Sequence, residues 1–256
     1  MAILIKSHKE IELMRQAGRI LAQTLALLSE NVKPGVTTGE LDKMAYDYIR
    51  SQGAIPSFKG YHPFPDIQPF PGTICASVNE EIVHGIPGGR VLKEGDIIAI
   101  DGGVIYRGWQ ADSAVTLPVG KISPELKALL ETTKASMEAG IAQAKRGNQV
   151  GDISHAVEQR ILQGGKYGIV REYGGHGLGR RLWEEPSVPN HGAPHQGPRL
   201  GVGMVIAIEP MVNIGGDTTE ALEDGWTVVT KDRTPSAHFE HTVAITENGP
   251  VILTLP

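Results

Sequence analysis

Cysteine is nearly absent from this sequence. Cys75 is the only one in 256 residues, so no internal disulfide can form and a reducing compartment is the natural setting. There is no surplus of positive charge either. Lys and Arg number 24 against 29 Asp and Glu, a formal net charge of −5, so no basic field attracts nucleic acid or an anionic membrane. No apolar run approaches the ~20 residues that a membrane helix needs. The opening "MAILIKSHKEIELMRQ" lacks a basic flank, a following apolar stretch and a small-residue cleavage site. With no linker, low-complexity tract or targeting segment visible, the expectation is a cytoplasmic protein with no DNA and no membrane partner. Two chemical signatures are missing as well: there is no Walker A sequence and no His-Glu-x-x-His.

What the chain does have is glycine and proline, 32 and 17 residues, which forecast many turns and close backbone approaches. Its hydrophobic fraction of 40% and charged fraction of 21% fit a soluble globular protein. The length allows one large core or two fused halves. Three internal echoes favour halves. "GDIIAID" (Gly95 to Asp101) returns as "GMVIAIE" (Gly203 to Glu209), 108 residues on; "KPGVTTGEL" (Lys33 to Leu41) returns as "KRGNQVGDI" (Lys145 to Ile153), 112 on. "ADSAVTL", with Asp112, returns as "FEHTVAI", with Glu240, 128 on. Three matches in the same order imply a duplication, about residues 1–120 and 121–256, within a single domain.

Each half reads helix, turn, helix, strands. Ser7 to Glu10 is a capping box, followed by a helical stripe of Ile11, Met14, Leu21, Leu25 and Leu28. "TTGE" (Thr37 to Glu40) opens a second helix. Ser123-Pro124-Glu125 gives an N-cap, an N1 proline and a first-turn acid for a third, ending near Ala144. A fourth is expected from Ile153 to Leu162. Strands are expected at 97–106, 110–117, 204–209, 226–230 and 239–246. The fold class is then α+β, with pseudo-twofold duplicated halves and helices covering a largely antiparallel sheet.

The chemistry lies in the acids of the repeated strands. Asp101 ends "IIAI" and Asp112 precedes "SAVTL". A turn centred between 106 and 107 sets them directly opposite; a turn at Arg107-Gly108 makes them diagonal neighbours. Both put the two carboxylates on one face. Like charges so close on a half-buried sheet require a shared proton or a cation. If the halves superpose, Glu209 and Glu240 mirror them, and four carboxylates meet at one centre. Two metal ions ~3.5–4 Å apart can use that many. His176, in "GGHGLGR", adds a nitrogen ligand and moves the metal towards manganese, iron, cobalt or zinc. A dinucleotide loop is excluded there, because Arg180 stands where its third glycine belongs.

With "SVNEEIVHGIP" (Ser77 to Pro87), "DSAVT", "GGHGLGR", "IEPM", "DGWTVVT" and "FEHTVAIT" in that order, the sequence resembles type I methionine aminopeptidases over nearly its whole length. The resemblance implies the pita-bread fold and a dinuclear site held by Asp101, Asp112, His176, Glu209 and Glu240. It implies removal of an N-terminal initiator methionine from nascent proteins and peptides, at the ribosome among other places, by a monomer. Glu209 takes the family's proton-moving role and His84 the contact with the substrate amide. Cys75, Tyr61 and Trp226 match residues lining the methionine slot.

Two departures stand out. The family usually has histidine at position 183, where it holds the substrate carbonyl; here it is Trp183, which has one N–H and can neither accept nor titrate. A slower enzyme follows, unless the indole or His238, placed where relatives more often carry glutamine, substitutes. The segment "HPFPDIQPFPGTI" (62–74) is longer than usual and carries four prolines, and Phe64 and Phe70 both suit the pocket-lining aromatic position. The sequence therefore leaves open a catalytically weakened pita-bread module that binds peptides or proteins, or an aminopeptidase of another specificity such as X-Pro.

Overall fold

The computed structural model describes residues 2–63 and 66–256; Phe64 lies outside them. Four helices account for most of the regular α structure. Helix α1 (His8–Asn31) starts where expected, because the Ser7 hydroxyl takes the Glu10 N–H while the Glu10 carboxylate takes the Ser7 N–H. Thr37 and Glu40 repeat the device for α2 (Thr38–Ser51). Ser123 caps α3 (Pro124–Gln143), which ends before Ala144. Helix α4 (Val150–Gly164) begins three residues ahead of the expected start, because the Asp152 carboxylate takes the Gln149 N–H at 2.7 Å. A glutamine N-cap gives little warning in the sequence.

Every strand pairing is antiparallel. One long hairpin, Ile97–Tyr106 and Trp109–Pro118, carries Ile74–Val78 on its other side. A second group runs Gly249–Ile252, His241–Thr246, Val205–Ile208, Gly175–Gly177, Glu184–Val188. Two large apolar clusters follow the two helix pairs. Leu21, Leu28, Leu41 and Ile49 of α1 and α2 pack on Ile74, Ile98 and Ile100. Leu129, Met137, Ile153, Val157 and Ile161 of α3 and α4 pack on Ile206, Ile208 and Val243. Burying such a side chain contributes ~1.5–3 kcal/mol, so each helix pair is held mainly by its own strands.

Two expected strands start late, for local reasons. The 226–230 segment becomes Val228–Thr230, because Trp226 and Thr227 give their N–H groups to the Asp224 carboxylate in a turn. The 239–246 segment becomes His241–Thr246, because Glu240 pairs instead with Ala114 of the first hairpin, N to O 2.9 Å and O to N 3.3 Å. That exchange joins the two sheets edge to edge, and it brings the acids of both halves to one place.

Candidate metal centre

The first hairpin turns at Arg107-Gly108. Both residues have positive φ, 51° and 78°, and Tyr106 pairs with Trp109. Of the two registers the sequence allows, this is the diagonal one: Asp101 faces Ala114, Asp112 faces Gly103, and the two carboxylates share a face. In the other half the last ladder pair is Ile208 with His241, so Glu209 and Glu240 are the next residues across. The strands that lead to Asp101 and Glu209 are each entered through a left-handed glycine, Gly95 at φ 92° and Gly203 at φ 90°, which no L side chain adopts easily. The seam is locked beside the acids. Thr242 Oγ1 donates to the Asp112 carbonyl and accepts the Asp112 N–H, while Ser113 Oγ donates to the Glu240 carbonyl.

His176 sits between two glycines for a backbone reason. A Cβ at Gly175 would meet the Ala207 carbonyl oxygen at 2.1 Å, and one at Gly177 the Glu185 carbonyl oxygen at 2.1 Å. The close approach is thus that of the flanking strands, which press His176 towards the acids. Its Nδ1 donates to the Gly177 carbonyl at 2.9 Å, leaving Nε2 as the unprotonated nitrogen. Nε2 lies 3.4 Å from Glu209 Oε1 and 3.7 Å from Asp112 Oδ2. Ligand-type atoms of Asp112, His176 and Glu240 all lie within 4.8 Å of one another.

The electrostatics of this cluster call for a cation. One oxygen each of Asp101, Asp112, Glu209 and Glu240 is buried without a hydrogen-bond partner. Burial drives all four carboxyls up, Asp101 to about 7, and Glu209, with help from the Asp101 charge, to about 8. Asp112 and Glu240 rise well above the carboxylate range through burial and the neighbouring acids. Burial lowers His176 to about 4, so it stays neutral and able to coordinate. Unpaired buried carboxylates at a neutral imidazole form an oxygen-rich donor set with one nitrogen, which fits divalent metal.

The acids floor a cavity of about 610 Å³, and every candidate site residue among the described residues lines it. One end is apolar. Cys75 and Trp226 are buried there with Phe58, Phe70 and Leu182, and Tyr61 packs against them. Phe70 lines this slot, its ring edge-on to Trp226 at 5.2 Å; the other candidate, Phe64, lies outside the described residues. The proline-rich segment is tied down where Trp226 Nε1 donates to the Gln68 carbonyl at 2.8 Å. His84 lines the same cavity, at φ 59°, its ring 6.2 Å from that of Trp226 and 6.0 Å from that of Tyr173. Burial lowers it to about 4. Trp183 is 39% exposed at the rim, edge-on to Tyr61 at 5.3 Å and to His176 at 6.3 Å. His238 is buried within the cavity wall.

Sequence reasoning missed the frame of the rim. Lys6 and Glu184 form a buried ion pair at 2.8 Å. The other Glu184 oxygen takes the N–H groups of Arg180 and Arg181, fixing the loop that carries Leu182 and Trp183. The two partners are 178 residues apart, and no local pattern links them.

The model of metallopeptidase family M24 matches residues 12–247. Methionine aminopeptidase 1 of Bacillus subtilis is 53% identical over 252 residues, covering 98% of this chain and 99% of the relative. A Clostridium acetobutylicum methionine aminopeptidase is 50% identical, with 99% of each chain covered. The crystal structure of methionine aminopeptidase from Rickettsia prowazekii superposes with a TM-score of 0.95 at 39% identity, covering 99% of this chain and 100% of that one. The α+β architecture expected from the sequence is therefore the pita-bread fold of these proteins.

Proposed function

The chain belongs to metallopeptidase family M24, and on that footing we propose that it is a methionine aminopeptidase, removing the first residue from peptides and nascent proteins that begin with methionine. The observation that carries this is the convergence of four buried carboxylates and the unprotonated Nε2 of His176 beneath an apolar slot. Asp101, Asp112, His176, Glu209 and Glu240 would hold two divalent ions, drawn from manganese, iron, cobalt and zinc. Such ions supply Lewis acidity and make water a nucleophile at neutral pH.

The chain's own residues do the rest. The slot formed by Cys75, Phe70 and Trp226 with Tyr61 takes the methionine side chain; a thiol and ring edges suit a polarizable thioether. The acid-lined floor meets the free α-amine, which explains attack at a chain's first residue. His84, neutral at working pH, offers its ring N–H to the substrate amide from the wall of the same cavity. Glu209 carries the proton to the leaving amine from its place among the acids beside His176. Trp183 supplies no titratable group beside them, so turnover is slow for this family. The enzyme acts as a monomer in the cytoplasm, where its lone buried thiol stays reduced, and meets its substrates at the ribosome. All five ligand-type residues are present and converge, which speaks against a binding module without catalysis.

The test is release of free methionine from Met-Ala-Ser and a Met-Pro peptide. The protein is first stripped with EDTA and then supplied with manganese, iron, cobalt or zinc in turn. Metal-dependent release is expected. No release with any of the four would overturn the proposal, and cleavage confined to X-Pro peptides would redirect the specificity.

A further inference from the structure

Glu209 lies between two imidazoles. His176 Nε2 is 3.4 Å from its Oε1, and His238 Nε2 is 3.8 Å from its Oε2. The two rings are not equivalent. His176 gives its one ring proton to the Gly177 carbonyl through Nδ1, so it turns a lone pair towards Oε1. A lone pair facing a carboxylate oxygen is repulsive until a cation or proton comes between them. His176 therefore cannot steady Glu209 by donating to it.

His238 can. It is 1% exposed, and neither ring nitrogen has a hydrogen-bond partner among the described residues. A neutral imidazole always has one N–H, and a buried donor left unpaired costs ~1–3 kcal/mol, so this group needs a reason to be there. The backbone that carries the ring is held in place through its own N–H and carbonyl. Thr116 Oγ1 accepts the His238 N–H at 2.8 Å and donates to the His238 carbonyl at 2.7 Å, while His238 pairs with Met211 across the ladder. Its backbone is thus clamped from both halves of the molecule. Because both nitrogens are buried, a bound peptide is a poorer partner for them than the carboxylate that Nε2 already faces.

We infer that His238 is a positioning residue for Glu209: its Nε2–H donates to Oε2 and keeps Oε1, the oxygen that faces His176 Nε2, free to serve as the ligand atom of a divalent ion the cluster would hold. One oxygen is then a ligand and the other is kept apart from it for the proton. The inference rests on the reading of Glu209 as ligand and proton carrier. Outer partners of this kind change metal affinity by ~10–100-fold when removed.

Manganese(II) titrated into the metal-stripped full-length protein tests this, comparing the unsubstituted chain with His238→Phe, His238→Gln and Glu209→Gln. Binding in His238→Phe is expected to weaken ~10–100-fold. His238→Gln keeps an N–H donor and is expected to restore it. On Met-Ala-Ser the phenylalanine variant should lose kcat with little change in KM, because the placement of Glu209 matters in the proton-transfer step. If circular dichroism shows that His238→Phe does not fold, His238→Met serves as the variant without a donor. Undiminished manganese affinity in the variant without a donor, or no restoration by glutamine, overturns the inference. Glu209→Gln separates the two layers. Unchanged affinity there removes Glu209 from the ligand set, whereas weakened binding there with intact binding in the His238 variants removes only the role of His238.

Discussion

Trp183 stands at the rim of the cavity, beside the ligand-type residue His176. It is 39% exposed, its ring edge lies against Tyr61 and His176, and it can offer one N–H and nothing else. A preorganised donor aimed at developing charge contributes ~10²–10³-fold to rate. Trp183→His is therefore expected to raise kcat on Met-Ala-Ser towards ~10²-fold, with the apolar slot and hence KM little changed. Steady-state kinetics decides it: no increase would mean that the rim position supplies no catalytic donor in this chain. His84 bears on the same assay. Its ring titrates only near about 4, so protonation of His84 itself does not confound rates measured near neutral pH. At this scale the sequence was generous wherever a pattern repeated: Asp101, Asp112, Glu209 and Glu240 stood out because an acid, Asp in one half and Glu in the other, recurs at the same place in two pairs of echoing segments. His84 and the lining residues have no such echo and were legible only through the family's motifs. Between Phe64 and Phe70, the sequence had no means to choose, since both precede a proline.

At the level of elements, the rim loop hangs on one ion pair. Lys6 and Glu184 are both almost fully buried, 3% and 2% exposed, and Glu184 also takes the N–H groups of Arg180 and Arg181. Removing one partner of a buried pair leaves a stranded charge and destabilises by ~3–5 kcal/mol, whereas replacing both with apolar groups is often neutral. Lys6→Met is expected to lower stability by that amount, about 3–5 kcal/mol, and Lys6→Met with Glu184→Leu to recover part of it. Denaturant unfolding of the two variants checks the order; a single variant as stable as the parent would show that the pair holds nothing. The pair also explains what the sequence hid. Capping boxes at Ser7 and Thr37 and the N-cap at Ser123 are local, three-residue patterns, and they set helix starts correctly. The ion pair and the pairing of Glu240 with Ala114 join residues more than a hundred positions apart, and only the docking of one half on the other creates them.

The whole molecule stores its instability at the seam between its halves. Four carboxyls are buried there, and in the metal-free protein each has its folded-state proton affinity raised, to about 7 for Asp101 and about 8 for Glu209. An unfolded carboxyl titrates at ~4 and an unfolded histidine at ~6.5, whereas burial holds His84, His176 and His241 down to about 4 and His238 to about 3; the histidines therefore offset the acids below ~6.5, and from there to about 8 the folded chain binds more protons than the unfolded one. Stability then falls as pH rises across that window: the protonated acids are tolerated below it, and ionised carboxylates repel one another inside the fold above it. Divalent metal reverses the sign. It replaces the protons, binds the folded state alone, and is favoured by the ionisation that harms the metal-free chain. Melting temperatures in EDTA are expected to drop from pH ~6.5 to about 8, above the range where the buried histidines offset the acids. With manganese they are expected to stay level or rise, so that the gap between the two series widens with pH. Parallel series, or a metal-free chain that gains stability over that range, would mean that the four acids are not jointly buried as this architecture places them. The same experiment weighs the two-half reading of the sequence, since neither half alone supplies more than two of the four acids.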